Sequence, residues 1–242
     1  MRDLLKQSSA LVGVIKALRQ IPFDVRRTLW CIGRDGDIRE YLDSHPVRKL
    51  QIGAGYNMIE GWLNVDFNPY TRQPGQLYLN ATRRFPFADA SFDYVFSEHM
   101  IEHIWWPDGQ TMLKESHRIL KPGGKIRIST PNLASITSLL DPPRTPIKEQ
   151  YLKLSTDKHI PHAIGYRPGF VINNFFWDFG HFFVYDAETL ELALRTAGFT
   201  DIRRWQPMQS DDPNFTGIES HQKIVGDEVN VFESIILQGV KA

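Results

Sequence analysis

Over the first 46 residues the apolar positions recur at helical intervals. Leu4, Leu5, Leu11, Val12, Ile15 and Leu18 make one stripe, with Lys6, Lys16, Arg19 and Gln20 on the other faces. Ile21-Pro22 interrupts it, and a second helical stretch through Leu29, Ile38 and Leu42 is broken at Gly33 and Gly36 before His45-Pro46 ends it. Residues 1–46 therefore read as a helical extension, suited to capping a core domain, covering a pocket or making a homodimer contact.

From Val47 the period changes. Lys49 to Ile52 predicts a strand that runs into Gly53-Ala54-Gly55; Trp62 to Val65 predicts a second, ending at Asp66; Gln76 to Leu79 a third; and Phe92 to Phe96 a fourth. A helix over Asp108–Leu120 carries Met112, Leu113, Ile119 and Leu120 on one face, and Lys121-Pro122-Gly123-Gly124 stops it ahead of a fifth strand, Lys125 to Thr130. Asp186 is placed as the N-cap of a helix bearing Leu190, Leu194 and Ala197, closed by Gly198, and strands over Ile202–Gln206 and Phe232–Val240 follow. Strands alternating with helices of these lengths call for a parallel sheet with crossover helices.

Composition narrows the class. At 42% hydrophobic and 12% aromatic, the 242 residues suffice for one ordinary core, which excludes disorder and fibrous classes. With 28 basic and 28 acidic residues the net charge is zero, against a general binder of long nucleic acid. No apolar run of about 18 residues is present, so no membrane-spanning helix is expected. The stretch Ala10–Ile15 is too short for a secretory signal, and Cys31 is the one cysteine. Together these point to a cytoplasmic protein in which the sequons at Asn80 and Asn214 are chance matches.

A strand ending in Gly-x-Gly, followed by a strand ending in an acid, suits an adenosine: glycines admit the ligand to the backbone and the carboxylate accepts from ribose hydroxyls. A dinucleotide would also want a third glycine where Met58 stands, and a long helix aimed at its pyrophosphate. Only Tyr56 to Gly61 separate the turn from the next strand. S-adenosylmethionine has no phosphate and needs no such cradle.

The runs KLQIGAGYNMIEGWLNVDF, FPFADASFDYVFSEHMIEHI and LKESHRILKPGGKIRISTPN, in that order, resemble class I S-adenosylmethionine-dependent methyltransferases. The resemblance is to the bacterial branch (methyltransferase type 11-like) with a shortened first helix, often found among genes for surface or secreted glycans. It covers about residues 47–205 and the last strand. It implies an α/β fold: a Rossmann-like class I methyltransferase sheet, mostly parallel with the last strand antiparallel, spanning 47–242 and joined to the N-terminal helical extension and a lid insertion at 138–185. It further implies that Gly53, Ala54 and Gly55 line the methionine and ribose side of the cofactor, that Asp66 holds the ribose and that Phe67 packs on the adenine. Asn80 and Ala81 would stand at the adenine amine, Asn80 in place of the family's acid, and Ser97 and Glu98 beside the reactive methyl.

His99-Met100-Ile101-Glu102-His103 spells H-x-x-E-H, also a zinc-peptidase motif, but here it follows a fourth strand rather than opening a long helix. Some O-methyltransferases of the superfamily place E-x-x-E-H here and bind a divalent cation. His99, Glu102 and His103 are thus a possible metal set, though the favoured role for Glu102 and His103 is to cap and brace the helix beneath the pocket. Asp141-Pro142-Pro143-Arg144 lacks the terminal aromatic of an adenine-methylating signature, and Cys31 lies in the extension, away from any role as nucleophile.

Residues 151–185 hold ten of the chain's 29 aromatics together with His159, His162 and His181. Such a stretch serves as a lid whose rings stack on a flat or sugar-like acceptor, as a second small core, or as both. Methyl transfer to a hydroxyl needs in-line alignment and a base near neutral pKa. The candidates are His103 and His181, with Glu102 orienting His103 or replacing it. The expected activity is O-methylation of a small-molecule or glycan hydroxyl. The alternatives are a non-catalytic relative that binds S-adenosylmethionine or S-adenosylhomocysteine, and a dinucleotide-dependent enzyme of similar topology.

Overall fold

Central strands whose residues are apolar on both faces must be covered on both faces, and this chain builds its domain around such strands. The computed structural model describes residues 21–242. The stripe from Leu4 to Leu18 lies outside the described residues. Residues 21–31 are helical, followed by α1 (Arg34–Ser44), β1 (Lys49–Ile52), β2 (Leu63–Asp66), β3 (Leu77–Tyr78) and β4 (Phe92–Glu98). After a 3-10 turn at Ile101–His103 come α2 (Trp106–Ile119), β5 (Leu120–Pro131) and α3 (Leu133–Thr137), then α4 (Pro146–His159), α5 (Pro168–Trp177), α6 (Ala187–Thr196) and β6 (Phe199–Trp205). The chain closes with α7 (Gln222–Val225), α8 (Asp227–Glu233) and β7 (Ser234–Lys241). No helix among the described residues is long and apolar enough to cross a membrane.

The seven strands stand in the order β3-β2-β1-β4-β5-β7-β6, all parallel except β7, which runs antiparallel to both neighbours. Order reverses between β1 and β4, so the crevice beyond their carboxyl ends is where an open α/β sheet takes a ligand. The register Ile52↔Ser97 puts Gly53 beside Glu98 at that crevice. Leu50, Ile52, Phe92, Val95, Ile126 and Ile128 fill the main core, and Met112 and Leu113 of α2 cover it.

Several boundaries differ from the sequence expectation, each for a local reason. Gly33, at φ +81°, does break the extension, but Gly36 lies inside α1; its N–H donates to the Gly33 carbonyl and forms the first helical turn. No helix forms between β1 and β2. Its place is taken by turns whose backbone is satisfied by Asn64, which accepts from Ile59 N–H and donates to the carbonyls of Ile59 and Trp62. Phe232 belongs to α8 rather than to the last strand, because Asp227 and Glu228 favour a helix start there and Val229 and Phe232 then face the lid's apolar cluster. The Asp186 cap is formed, its side chain accepting from Thr189 N–H at 2.7 Å.

The stretch 138–185 is mostly helical, not a loop. Together with Ile136, Leu139, Tyr151, Leu152, Val171 and Phe175 form a second buried cluster, closed by Val229 of α8. The helical segment 21–31 covers the β3 edge: Trp30 is buried, and its Nε1–H donates to the Gln76 carbonyl at 2.7 Å.

Candidate active site

The glycine turn is held by its own acid. Asp66 Oδ2 accepts from Gly55 N–H at 2.8 Å, and Oδ1 accepts from Asn68 N–H at 2.9 Å. A carboxylate has about four lone-pair sites, so each oxygen keeps one for a ligand. Gly53, at φ +72°, has no room for a side chain, since a Cβ there would lie 2.4 Å from Met100 Cγ. Phe67 is exposed, with the Phe23 ring of the extension 5.1 Å away and Tyr78 at 5.9 Å. Asn80 spends its side-chain carbonyl on Thr82, N–H and hydroxyl alike, which orders a turn next to buried Ala81. Ser97 is buried with its hydroxyl unpartnered.

Glu98 has a role that its position alone does not announce. Its carboxylate accepts from Ser220 N–H and Oγ–H and from His221 N–H, all within 3.0 Å. It thereby pins the segment between β6 and α8 over the glycine turn. That segment is tied down a second time by buried Arg127, whose Nε donates to Glu219 at 2.5 Å.

Two cavities result. One, of ≈ 360 Å³, is lined by Gly53, Ala54, Tyr56, Asn57, Glu98 and the Ser220–Ile224 stretch. The other, of ≈ 300 Å³, lies against α4 and the stretch after α5, with Tyr151, Leu154, Phe175, Phe179 and Val225 as apolar walls and Glu102, His103 and His181 as a polar end. Both sizes are of the order of small-ligand clefts. His99, His221 and Ile224 line both cavities, which adjoin there.

The H-x-x-E-H run does not form a helix. His99 has φ +45°, and a short 3-10 turn carries Ile101 to His103, so the two histidines do not stack on one helical face. Glu102 is fully buried, with Oε2 accepting from Thr130 Oγ1–H at 3.0 Å and Oε1 lying 3.5 Å from His99 Nδ1 and 3.9 Å from His103 Nε2. Burial opposes its charge, but the two histidines outweigh burial and hold its pKa below the ordinary carboxylate value. Burial likewise opposes a charge on His99, and Glu102, Glu233 and Glu98 outweigh it, raising its pKa. The ring contacts agree: the Ser234 hydroxyl donates to Asn230, so its oxygen accepts from His99 Nε2–H while Nδ1–H faces Glu102.

His103 Nδ1–H donates to the Gly180 carbonyl at 3.2 Å, and its ring lies 5.0 Å from that of His181. Burial holds the His181 pKa below the ordinary imidazole value and so favours the neutral ring, and its Nδ1 is buried without a partner. The acid and histidine atoms that converge, all within 4.8 Å of one another, belong to Glu102, His103 and His181. His99, which the motif places in the metal set, is instead stacked on His221 at 3.8 Å.

The structure thus gathers Gly53, Ala54, Glu98 and His99 round one cavity and Glu102, His103 and His181 round the other, while Phe67, Asn80 and Ala81 lie towards the β2–β3 edge. Ser220, His221, Lys223 and Glu233 escaped sequence reading. Their segment has no periodic pattern, and the one available signal was the polar run Glu219-Ser220-His221-Gln222-Lys223 between two strands.

A family model for the methyltransferase domain matches residues 54–128. A probable S-adenosylmethionine-dependent methyltransferase of Mycolicibacterium smegmatis is 32% identical over 81 residues, 34% of this chain and 31% of that protein. Methyltransferase GfsG of Streptomyces halstedii is 31% identical over 81 residues, 34% of this chain and 27% of its own length. The chain thus spans about a third of the length of these curated relatives. A crystal structure of a SAM-dependent methyltransferase from Archaeoglobus fulgidus shares the fold, with a TM-score of 0.51 and 19% identity over 93% of this chain and 99% of that one. The sheet order and the glycine turn gripped by Asp66 at its switch point thus go with a match of residues 54–128 to the methyltransferase domain.

Proposed function

We propose that this chain transfers the methyl group of S-adenosylmethionine to a hydroxyl of a small-molecule or glycan acceptor. The observation that carries the reading is the set of residues shared by two cavities, one at the glycine turn and one against α4 and the stretch after α5. Cavities that adjoin at shared residues bring a donor and an acceptor to one place, as in-line displacement requires. The cofactor supplies a sulfonium methyl whose departure leaves a neutral thioether. Gly53, Ala54 and Gly55 admit it to the backbone, the spare lone pairs of Asp66 take the ribose hydroxyls, and Phe67 backs the adenine with Asn80 and Ala81 beyond it. Ser97 and Glu98 stand behind the methionine end.

The acceptor lies in the second cavity, its body against Tyr151, Phe175 and Phe179 and its hydroxyl at His103 and His181. Glu102 braces that polar end through His99 and His103 rather than holding a cation. Glu102, His103 and His181 also suit a divalent ion by donor type and convergence, and a chelator separates the two roles. The exposed stripe Ile21, Val25, Leu29 and Ile32 on the extension suits a second copy of the chain. We place the protein in the cytoplasm.

The test is calorimetry with S-adenosylhomocysteine against NAD, followed by tritium transfer from methyl-labelled S-adenosylmethionine to a panel of phenols, glycosides and free sugars. Binding of S-adenosylhomocysteine without NAD binding, and label on a hydroxyl compound, are expected. Tight NAD binding would overturn the reading, and cofactor binding with no acceptor labelled under any condition would favour a non-catalytic relative.

A further inference from the structure

A base for methyl transfer has to stand where the two cavities meet, and two imidazoles stand there, His99 and His221. His99 is spent: Nε2–H is given to Ser234, Nδ1 faces the Glu102 carboxylate, and neither ring nitrogen is left to accept a proton. His221 differs. Its Nε2–H donates to a carboxylate oxygen of Glu233, itself largely buried, in a short hydrogen bond. Its other ring nitrogen, Nδ1, has no hydrogen-bond partner among the described residues and is not among their buried unpartnered atoms. With Nε2 carrying the proton, Nδ1 of the neutral ring carries the lone pair.

We propose that His221 is the general base of the transfer and that Glu233 is its positioning residue, fixing the tautomer and the ring. The inference rests on the methyl-transfer reading given above. The acceptor oxygen forms a bond to the methyl carbon as the carbon–sulfur bond breaks, its electron pair leaving on sulfur to give the neutral thioether. The acceptor's proton passes to His221 Nδ1, and the imidazolium so formed is stabilised by Glu233. His103 and His181 then bind the acceptor, and His221 deprotonates it.

The arrangement is built, not incidental. Glu98 accepts from His221 N–H, which fixes the backbone of the residue, and the His99 ring stacked on it at 3.8 Å fixes the plane of the imidazole. The charged and titratable groups facing His221 are Glu233 from α8, Glu98 and His99 from the end of β4, Lys223 from its own segment, and Lys158 and His159 from α4 across the second cavity.

The experiment uses the full chain, labelled with ¹⁵N-histidine and loaded with S-adenosylhomocysteine. Long-range proton–nitrogen spectra report which ring nitrogen of each histidine is protonated, and His221→Asn assigns the His221 signals. The expected result is an unprotonated Nδ1 and a protonated Nε2 in the wild type, with that preference lost in Glu233→Gln. In tritium transfer from methyl-labelled S-adenosylmethionine to the phenol and glycoside panel, His221→Asn should lower kcat about a hundredfold or more with little change in acceptor KM. Glu233→Gln should lower it about tenfold or more and move the acidic limb of the pH–rate profile. Both variants should bind S-adenosylhomocysteine, which shows that they fold.

A protonated Nδ1 in the loaded wild type, or a His221→Asn rate equal to wild type across the pH range, overturns the assignment. Failure of the wild type to bind S-adenosylhomocysteine overturns instead the reading on which the assignment rests.

Discussion

Arg127→Met should unlatch the segment that lines the cavity at the glycine turn. Arg127 is fully buried in β5, and its guanidinium reaches Glu219 twice, through Nε at 2.5 Å and through a second, shorter contact, while Nη1 donates to the Gln209 carbonyl at 3.0 Å. Removing it leaves the Glu219 carboxylate, 2% exposed, with Met208 N–H at 3.0 Å as its remaining partner among these contacts. Breaking a buried ion pair from one side costs about 3–5 kcal/mol. For a domain of this size that is a fall in Tm of about 6–20 °C. Burial pulls the Arg127 pKa down and pushes that of Glu219 up, in both cases against the attraction of the partner. The pair therefore costs desolvation on both sides, and Arg127→Met/Glu219→Leu should recover more than half of the single variant's loss, the remainder being Met208 N–H and the Gln209 carbonyl left unpaired. Thermal unfolding of both variants, with and without S-adenosylhomocysteine, measures this. Because Ser220 and His221 follow Glu219 directly, the single variant should also bind the product cofactor more weakly. An unchanged Tm for Arg127→Met, or a double variant less stable than the single, would refute the argument.

With Asp66 proposed to hold the ribose hydroxyls, Asp66→Ala should lower cofactor affinity, measured by calorimetry, about tenfold to a hundredfold; unchanged affinity in a folded variant would sink the assignment. His181→Ala should raise the acceptor KM with cofactor affinity little changed, so a weakened cofactor site would place His181 elsewhere. Tritium transfer should persist in excess chelator, and loss of activity restored by a divalent ion would convert Glu102, His103 and His181 from a brace into a metal site. The raised pKa of His99 gives stability that is complete below about pH 6.5 and lost as pH rises through the folded value, and the lowered pKa of Glu102 gives stability present above about pH 4.3 and lost as pH falls through its folded value. The urea midpoint gap between wild type and Glu102→Gln should therefore be widest from about pH 4.5 to 6.5, and a gap constant from acid to alkaline pH would show that their mutual charge is not what holds them. Leu29→Glu should turn a dimer into a monomer by light scattering if the exposed stripe of the extension pairs two copies, and an unchanged mass would exclude that contact.

What the sequence reveals follows the range of the interactions involved. The strands, the glycine turn at 53–55 and the acid Asp66 at the next strand's end were legible because period-2 burial, a glycine turn and an acid at a strand end are set by neighbours a few residues away. The Asp186 cap was legible for the same reason. Phe232 was assigned to a strand because its apolar run fits either period, and burial against the lid's cluster, which lies some eighty residues earlier, decides for helix. His221 was invisible because its role depends on Glu98 and His99, more than 120 residues away, and on Glu233 in a different element. The possible metal set read from the motif differs from the converging one in one member, since the left-handed His99 turns the chain there and the third converging position falls to His181, far away in sequence.

The residues common to both cavities link their occupants thermodynamically. His99, His221 and Ile224 are surface to either ligand, so whatever settles those three side chains for one occupant also settles them for the other. Linkage is reciprocal: the factor by which a bound cofactor product alters affinity for the acceptor equals the factor by which the acceptor alters affinity for that product. Substitutions at Ile224, which is surface to both ligands, should therefore change that shared factor together with each ligand's own affinity.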